Sequence, residues 1–478
     1  MKRNPISAAE REIVPVNVVL ITLDNHMTSA VDEARMGLAK DLPGLRLSVH
    51  AATDWTENPA SLKACKADIA AGDIIVASML FVEDHVKAIL PDLEARRDAC
   101  DAMVCCMSAG EVMKNTAMGD FRMDGKQSGP MALLKKLRGK SEKGNASPKT
   151  AGERQMRMLR RLPKILRYIP GTAQDVRAYF LALQYRLAAS QDNIANMVRM
   201  LVNRYARGDR ASLRGALTFA EPAQYAETGV YHPSLKTTVS TALKDLPRAK
   251  RPRATVGLLL LRSYILSGDT AHYDAVIRAF EERGITVVPV FASGLDMRPA
   301  IEAFLSGGKT GAQIDALVSL TGFSLVGGPA FSDTAAAAGA LEALDVPYVS
   351  AYISEFQSLE QWQASDSGLT PIETTLMVAI PELDGATGSV LFGGRSEAGG
   401  DRKLLPQTDR VESLVRRVEK LALLRQSKRA ARKVAITIFN FPPNAGNLGT
   451  AAFLSVFESL HATLTRMQAE GYDVGIIP

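Results

Sequence analysis

Short apolar runs alternate with helical patterns at the start of this chain, and this alternation constrains the fold more than any other feature. Four apolar runs lie at residues 16–22, 45–51, 73–80 and 102–108. Helical patterns lie between them near residues 27–40, 60–71 and 84–99. Strands that alternate with helices favour a parallel, doubly wound sheet. The first hundred residues are therefore predicted to form such a sheet.

A second alternating block begins at Ala254. Its strand candidates lie at residues 255–261, 286–291, 316–320, 348–351, 376–380 and 389–392. Helical patterns at 271–283, 298–305, 333–344 and 409–426 separate many of them. Three more helical patterns, at 153–168, 174–189 and 191–206, lie between the two blocks. The predicted fold class is α/β, with several doubly wound parallel-sheet units and an intervening helical segment.

A strand-like run at 433–440 and a helical run at 450–470 open a third region with too few elements for its own sheet. Either these elements join the preceding sheet or the chain is a fragment of a longer protein. The predicted domains are an N-terminal α/β domain (1–138), a basic flexible loop or linker (139–152), a mainly helical segment (153–253), a second α/β domain (254–430) and the start of a truncated third α/β region (431–478).

The composition is that of an ordinary globular protein, with 46% hydrophobic and 23% charged residues in 478. The four cysteines are too few and too clustered for a disulfide framework, so we expect small buried side chains. No window reaches the roughly 18 apolar residues that span a bilayer, and the N-terminus lacks the apolar core of a secretory signal. We therefore expect a cytoplasmic protein without a transmembrane segment.

The positive charge is concentrated in residues 120–169, which hold 14 Lys/Arg against 4 Asp/Glu although the whole chain carries only +6. Phe121 and Tyr168 are the aromatic residues of this segment, too few for the stacking surface of a nucleic-acid module. We expect a solvated loop or a docking surface for an acidic partner subunit, and no nucleic-acid partner.

Candidate ligand-binding residues follow the predicted strands, because open α/β sheets bind ligands beyond the carboxyl ends of their strands. His26, His85 and Glu111 occupy such positions in "LDNH", "VEDH" and "SAGE". Ordinary helix-start roles for these residues remain the alternative. The six histidines show no HxH, HExxH or Cys/His spacing, so no metal site is predicted.

The stretch "FNFPPNAGNLGTAAF" has the strand–turn–helix form of a phosphate cradle. It lacks the lysine of a P-loop and the glycine spacing of a dinucleotide-binding fingerprint. A tight turn capped by Thr450 is one interpretation; an anion held by the turn's amides, a carboxylate as well as a phosphate, is the other. The candidate residues are Asn444, Gly446, Asn447, Gly449 and Thr450.

Long phrases of the chain resemble the large H subunits of magnesium chelatases, which group with the large subunits of cobaltochelatases. They include "LITLDNHMTSAVDEA", "DAMVCCMSAGEVMKNTAMGDFRMDG", "RYIPGTAQDVRAYFLALQYRLAASQDNIANMVR" and "FNFPPNAGNLGTAAFLSVFESLHATL". These segments occur in the same order as in the family, and their sequences are most similar to those of the bacteriochlorophyll-type proteins of phototrophic bacteria. The resemblance runs from about residue 16 to the last residue.

The resemblance implies a porphyrin-binding subunit that inserts Mg²⁺ into protoporphyrin IX in (bacterio)chlorophyll biosynthesis, with both as substrates. It implies ATP hydrolysis by two partners, an AAA+ motor subunit and an integrin-like adaptor subunit. Family members are more than twice as long as this chain, and the family's catalytic residues are expected beyond residue 478, so none is assigned here. The chain alone is expected to be inactive. The alternatives are a stand-alone, non-catalytic tetrapyrrole-binding or chelatase-docking protein, and a cobaltochelatase-type large subunit.

Overall fold

The computed structural model of the chain describes residues 13–23, 25, 27–55, 58–123, 162–237, 239–307, 311–328, 331–396, 403–440, 449 and 454–477. Two large sheets organise these residues, and helices cover both faces of each sheet. This confirms the predicted α/β class. Within the described residues, no helix is long and apolar enough to cross a membrane.

The first sheet has six strands in the order β2-β1-β3-β4-β5-β6. The strands are β1 (Val16–Thr22), β2 (Leu45–Ala51), β3 (Ile74–Ser78), β4 (Ala102–Cys106), β5 (Ala117–Met118) and β6 (Phe121–Arg122). The first four are parallel, and β5 and β6 continue the sheet antiparallel. The connecting helices are α1 (Thr28–Leu38), α2 (Pro59–Ala71), α3 (Glu83–Arg96) and α4 (Gly110–Met113).

Alternate residues of β1, β3 and β4 face two separate cores, as expected of strands buried on both sides. Val19, Ile75 and Cys105 pack against α2 and α3. Val18 and Cys106 lie on the other face, in a core shared with α1 and with two long helices, α5 (Thr172–Leu187) and α6 (Gln191–Tyr205). All four cysteines are buried and unpaired, which confirms their prediction as small core residues.

The predicted helical segment therefore packs as a layer of the first sheet rather than on a core of its own. Tyr179, Tyr185 and Leu201 of α5 and α6 are buried in the same cluster as Leu20 and Val76 of the strands. The predicted boundary between a domain at 1–138 and a helical segment at 153–253 stays a prediction, but the described parts of both share one hydrophobic core.

The second sheet has seven strands in the order β15-β14-β13-β10-β8-β9-β7. They are β7 (Thr228–Val230), β8 (Thr255–Leu261), β9 (Thr286–Ala292), β10 (Ala316–Ser319), β13 (Tyr348–Ser354), β14 (Val390–Arg395) and β15 (Leu404–Pro406). The five central strands are parallel, and β7 and β15 close the two edges antiparallel. A separate hairpin joins β11 (Gly327–Gly328) and β12 (Phe331–Ser332).

Helices cover both faces of this second sheet. They are α7 (Arg262–Ser267), α8 (Ala271–Glu282), α9 (Arg298–Phe304), α10 (Thr334–Leu344), α11 (Leu359–Ala364), α12 (Pro371–Glu373), α13 (Ile380–Asp384) and α14 (Thr408–Gln426). On one face α8 and α14 pack over Val256, Leu258 and Val318, and on the other α9 and α10 pack over Leu259 and Leu317.

The parallel strands of the two sheets share one order, because in each sheet the first parallel strand (β1 or β8) lies between the second (β2 or β9) and the third (β3 or β10). They also share a polar contact at the amino end of the third strand. Asn17 N donates to Asp73 Oδ2 at 2.8 Å while Asp73 N donates to Asn17 O at 2.9 Å. In the second sheet Thr255 N donates to Asp315 Oδ2 at 2.8 Å, and Asp315 N to Thr255 O at 2.7 Å. An aspartate thus fixes the pairing of the first and third strands in both units.

Two predicted strands differ in the structure. Residues 376–380 lie in a helical stretch, where a π-helical turn, Thr374–Ala379, joins α12 to α13. Thr370 and Glu373 form a reciprocal cap at its start, which favours a helix here. Residues 433–440 are largely exposed and pair with no strand among the described residues. The helix predicted at 450–470 is α15 (Val456–Ala469).

Replacing Asp315 by Ala should lower the free energy of unfolding by about 1–2 kcal/mol, because the Thr255 amide then loses its acceptor between two central strands. Replacing Asp315 by Asn keeps an oxygen at this position and should cost much less. Urea unfolding followed by circular dichroism measures both. Equal losses in the two variants would contradict the role given to the acceptor.

Candidate functional site

The carboxyl ends of β1 and β3 mark the position where ligands bind in sheets of this strand order, because the connections leave β1 and β3 toward opposite faces there. Thr22 ends β1 and Ser78 ends β3, and both side chains are buried. The buried guanidinium of Arg186, which is 3% exposed, spans them. Its Nε donates to Ser78 Oγ at 2.8 Å and its Nη2 donates to Thr22 Oγ1 at 2.7 Å.

Arg186 comes from α5, so a helix more than a hundred residues further along the chain fills the crevice of the first sheet. A buried cation requires polar partners, and the two hydroxyls supply them. The charge also acts on a neighbour: burial raises the pKa of the Cys106 thiol to about 11, and Arg186 opposes this rise. The first crevice is therefore closed by the protein itself, which makes it a joint between layers more than an open ligand site.

The loops that follow β3 and β4 hold two residues in the left-handed backbone region that non-glycine residues rarely adopt. These are Met79, with φ of 61°, and Met107, with φ of 48°. Met79 N donates to Met107 O at 2.9 Å, and Leu80 N donates to Ser108 Oγ at 3.1 Å. Each such residue costs on the order of 1 kcal/mol and persists only where its surroundings fix it. Such conformations concentrate at active sites and ligand-binding segments of proteins. These two residues lie at the carboxyl edge of the sheet.

His85 lies at this edge, as predicted, in the first turn of α3. Its ring meets Trp55 edge to face, with 5.8 Å between the ring centroids. Burial lowers the pKa of His85, and the nearby Asp84 only partly offsets this effect. Within the described residues neither His85 Nδ1 nor Trp55 Nε1 has a hydrogen-bond partner.

Glu111 lies on α4 and lines a groove of about 380 Å³ between α3 and α4, together with Leu90, Glu94, Arg97, Lys114 and Asn115. The structure places His85 and Glu111 at the same edge of the sheet, and no hydrogen bond or ion pair links them in the part of the chain that it describes. A larger polar cleft of about 480 Å³ lies between the β5–β6 turn and α6, lined among others by Asp175, Arg204 and Arg214. No sequence prediction pointed to that cleft.

Of the remaining predicted site residues, the structure describes only Gly449. His26, Asn444, Gly446, Asn447 and Thr450 lie outside the described residues. Gly449 has φ of +70°, and its N–H donates to Phe439 O at 3.0 Å, so this amide is occupied within the turn. A Cβ at this position would lie 3.0 Å from Val456 Cγ1. Gly449 therefore fits the tight-turn interpretation, and an anion site in this stretch stays a prediction.

The carboxyl edge of the second sheet carries a buried polar cluster that the sequence analysis missed. Arg395, the last residue of β14, lies 3.4 Å from Asp269 Oδ2 and 4.0 Å from Glu355 Oε1. The Tyr264 hydroxyl donates to the same carboxylate of Glu355. Asp269 Oδ1 also accepts from Leu404 N at 3.0 Å, so this cluster fixes the edge strand β15. The available signal was the position of Tyr264, Glu355 and Arg395 at strand ends.

His272 lies under this cluster and is fully buried. Its ring centroid is 3.9 Å from that of Tyr273, 5.6 Å from that of Tyr264 and 5.8 Å from that of Phe392. Burial, with a smaller effect of the Arg395 charge, lowers the pKa of His272 to about 3. Both ring nitrogens lack hydrogen-bond partners within the described structure. His272 is therefore a neutral aromatic residue at physiological pH.

The site residues hold no assembled metal centre in the described part of the chain, where no three His, Cys, Asp or Glu side chains group around a possible ion. Comparison with known proteins then decides the family. Residues 183–478 match the family model described as CobN/Magnesium Chelatase, and residues 17–180 match a domain of unknown function (DUF3479). This chain belongs to the CobN/magnesium chelatase family.

Curated relatives in this family include the magnesium-chelatase subunits H of Rhodobacter capsulatus, 50% identical over 97% of this chain, and of Cereibacter sphaeroides, 49% identical over 96%. The chain spans 39% of the length of each. Among solved structures, the catalytic subunit of cobaltochelatase from Mycobacterium tuberculosis matches 97% of this chain and 32% of that chain, with a TM-score of 0.54 and 19% identity. That likeness supports the fold alone.

The two family models meet within α5, between residues 180 and 183. Arg186 therefore belongs to the matched CobN/magnesium chelatase region, while Thr22 and Ser78 belong to the other matched region. The buried contact between them joins the two matched regions of the chain across one core.

Replacing Arg186 by Met should lower the free energy of unfolding by roughly 2–4 kcal/mol, because two buried hydroxyls lose a charged hydrogen-bond partner. Arg177 on the same helix contacts Pro163 O and the exposed Glu221, so its replacement by Met is the matched control and should cost less than 1 kcal/mol. Guanidinium chloride unfolding measures both. Similar losses in the two variants would count against a special role for the crevice contact.

Replacing His272 by Phe should remove part of the loss of stability at mildly acidic pH. The unfolded chain protonates this histidine below about pH 6.5 whereas the folded chain does not, so its contribution is present above that pH and is lost as the pH falls. Between pH 7 and pH 5 wild type should lose about 2 kcal/mol more than the variant. Replacing the exposed His461 by Gln is the control and should leave the pH dependence unchanged. Parallel pH profiles for wild type and His272→Phe would refute the assignment.

Proposed function

We propose that this chain forms the N-terminal part of a magnesium chelatase H subunit, which binds protoporphyrin IX and inserts Mg²⁺ into it in (bacterio)chlorophyll biosynthesis. The observation that carries the proposal is the 50% identity to the Rhodobacter capsulatus H subunit along 97% of this chain. Mg²⁺ and the porphyrin are substrates in this proposal, not resident cofactors.

The chemistry of insertion sets three requirements: a base for two pyrrole protons, a macrocycle held out of plane, and Mg²⁺ freed of its water. Mg²⁺ releases water reluctantly, which fits a reaction that uses ATP. The described residues group no three metal-ligating side chains. His272 and Arg186 are enclosed and unavailable to a substrate. We therefore infer that this part supplies walls and docking surfaces, and that the catalytic groups belong to the remaining part of the H subunit.

ATP hydrolysis in this proposal belongs to two partner subunits, an AAA+ motor and an integrin-like adaptor, and the assembly works in the cytoplasm. The chain by itself should then be inactive. It should also bind porphyrin weakly, because a pocket formed between domains loses affinity when most of its walls are missing. Its 39% share of the length of its relatives supports this expectation.

A chimera tests the function directly. The matched segment of the Rhodobacter capsulatus H subunit is replaced by residues 1–478 of this chain and assayed with the two partner subunits, ATP, Mg²⁺ and protoporphyrin IX. Formation of the magnesium porphyrin, followed by its fluorescence, should reach at least a tenth of the parent rate. A folded chimera that binds porphyrin and makes no product above the level without ATP would reject the proposed function.

The isolated chain should show little saturable quenching of tryptophan fluorescence by deuteroporphyrin up to tens of micromolar, whereas the chimera should show saturable quenching. Trp55 is buried beside His85, and the half-buried Trp362 lies under the Arg410 guanidinium, 5.3 Å from its ring centroid. Both are sensitive local reporters. Replacing Trp362 by Phe separates the two signals. Tight binding by the isolated chain would show that this part holds a complete porphyrin pocket.

A further inference from the structure

A group of unpaired cations lies on the second unit at the edge opposite the carboxyl ends of its strands. We call it the basic face; it consists of Arg248, Lys250 and Arg251, from the connector that leads into β8, and of Arg416 and Lys420 on α14. All five are exposed. The connector at residues 244–253 carries five Lys/Arg against one Asp/Glu, and residues 409–433 carry nine against three.

A nearly buried carboxylate fixes the two halves of the basic face against each other. Glu419 on α14 accepts from Arg253 Nη1 at 2.6 Å and from Arg283 Nη1 at 2.8 Å. Arg253 Nη1 also donates to Arg283 O at 3.2 Å, and Arg253 N donates to Gly284 O at 2.9 Å. The connector is thus attached to α14 at Glu419, which lies between Arg416 and Lys420 in the helix. The end of the connector therefore has a defined position on α14.

The five cations of the basic face differ from their neighbours in having no counter-charge. Nearby arginines are paired: Arg410 with Asp409, Arg425 with Asp345 and Arg429 with Glu470. Within the described structure, by contrast, no ion pair or side-chain hydrogen bond involves Arg248, Lys250, Arg251, Arg416 or Lys420. A group of cations without paired carboxylates attracts an acidic surface over roughly 8 Å at physiological salt.

The intrinsic electrostatics of a helix explains only part of this charge. Cations in the last turn of a helix stabilise its carboxyl end, and Arg425 serves that purpose in α14. Arg248, Lys250 and Arg251 lie outside any helix, and Arg416 lies in the middle of one, so this effect does not account for them. Neither 244–253 nor 409–433 contains an aromatic residue on which a base could stack, which disfavours nucleic acid.

We propose that the basic face docks an acidic surface of a partner protein. Three of its five cations are arginines, whose planar guanidinium binds carboxylates through paired hydrogen bonds, and the Glu419 anchor holds the connector that carries two of them on α14. The basic face lies at the amino edge of the second sheet, so a partner docked there leaves the carboxyl edge of that sheet uncovered. Under the proposed function, on which this assignment rests, the partner is the motor or the adaptor subunit of the chelatase.

Charge-reversal variants of the 478-residue chain test the proposal against each purified partner subunit in turn, with affinity measured by biolayer interferometry at 50 mM and 300 mM NaCl. One variant carries Arg248→Glu and Arg251→Glu, and another carries Arg416→Glu and Lys420→Glu. Each should weaken binding of one subunit at least tenfold at 50 mM, and the difference from wild type should shrink at 300 mM. The variant with Arg248→Lys and Arg251→Lys keeps the charges but loses the paired hydrogen bonds, so its affinity should lie between that of wild type and that of the Arg248→Glu and Arg251→Glu variant.

The matched control reverses Lys40 and Lys63, two exposed lysines of the first unit that form no ion pair in the described structure, and should leave binding unchanged. Thermal unfolding confirms that all variants are folded. Failure of the wild-type chain to bind either subunit overturns the docking proposal, while the activity of the chimera decides the proposed function separately. Equal weakening by the control pair overturns it as well. Binding of the same variants to vesicles of 30% phosphatidylserine in phosphatidylcholine is measured as well. If the charge-reversal variants lose vesicle binding but bind both subunits as tightly as wild type, the docking proposal is also overturned.

Discussion

The contact of Arg186 with Thr22 and Ser78 is the interaction on which the arrangement of the first half of the molecule depends. A guanidinium in a closed crevice is tolerated only where hydrogen-bond partners replace its water, and the ends of two adjacent parallel strands offer such partners in one place. Once Arg186 is seated, α5 and α6 must lie over the sheet with Tyr185 and Leu201 in its core. The position that holds a ligand in many open sheets serves here to join two layers of one chain.

The second unit repeats the strand order of the first, but different side chains occupy the carboxyl edge of its sheet. Charged and aromatic side chains from β14 and from the loops after β8 and β13 meet there, with Arg395 between two carboxylates and His272 beneath. A histidine that is stacked, buried and not hydrogen-bonded packs as an aromatic ring at neutral pH. In acid it lowers the stability of the fold, because burial disfavours its charged form. This edge therefore combines buried ion pairs with a buried histidine whose ring nitrogens lack partners within the described structure. The matched aspartates Asp73 and Asp315 show that the common order of both sheets includes a common polar contact at the opposite edge.

Hydrophobic alternation alone predicts most of this framework, because buried parallel strands are short apolar runs and their spacing requires helices between them. The bounds of β1, β2 and β8 agree with their predicted runs. Residues 376–380 were misassigned because a five-residue apolar run has the same composition in a strand and in a buried helix, and only the cap at Thr370 distinguishes them. The shared core of α5, α6 and the first sheet arises from long-range packing, which periodicity does not encode.

The functional residues were harder to predict than the fold for a related physical reason. Arg186 in "LQYRLAAS" has the sequence context of an ordinary surface arginine of a helix, and only the three-dimensional packing buries it. Asp269, Glu355 and Arg395 come from three separate segments, so no local motif reports their cluster. The charge of a segment does not show which other segments it lies beside in the fold. The sequence shows basic residues at 248–251 and at 416–420, but only the anchoring of Arg253 on Glu419 unites them into one surface. The proposed docking at the amino edge of the second sheet therefore leaves the carboxyl edge of that sheet, where open α/β folds bind ligands, uncovered.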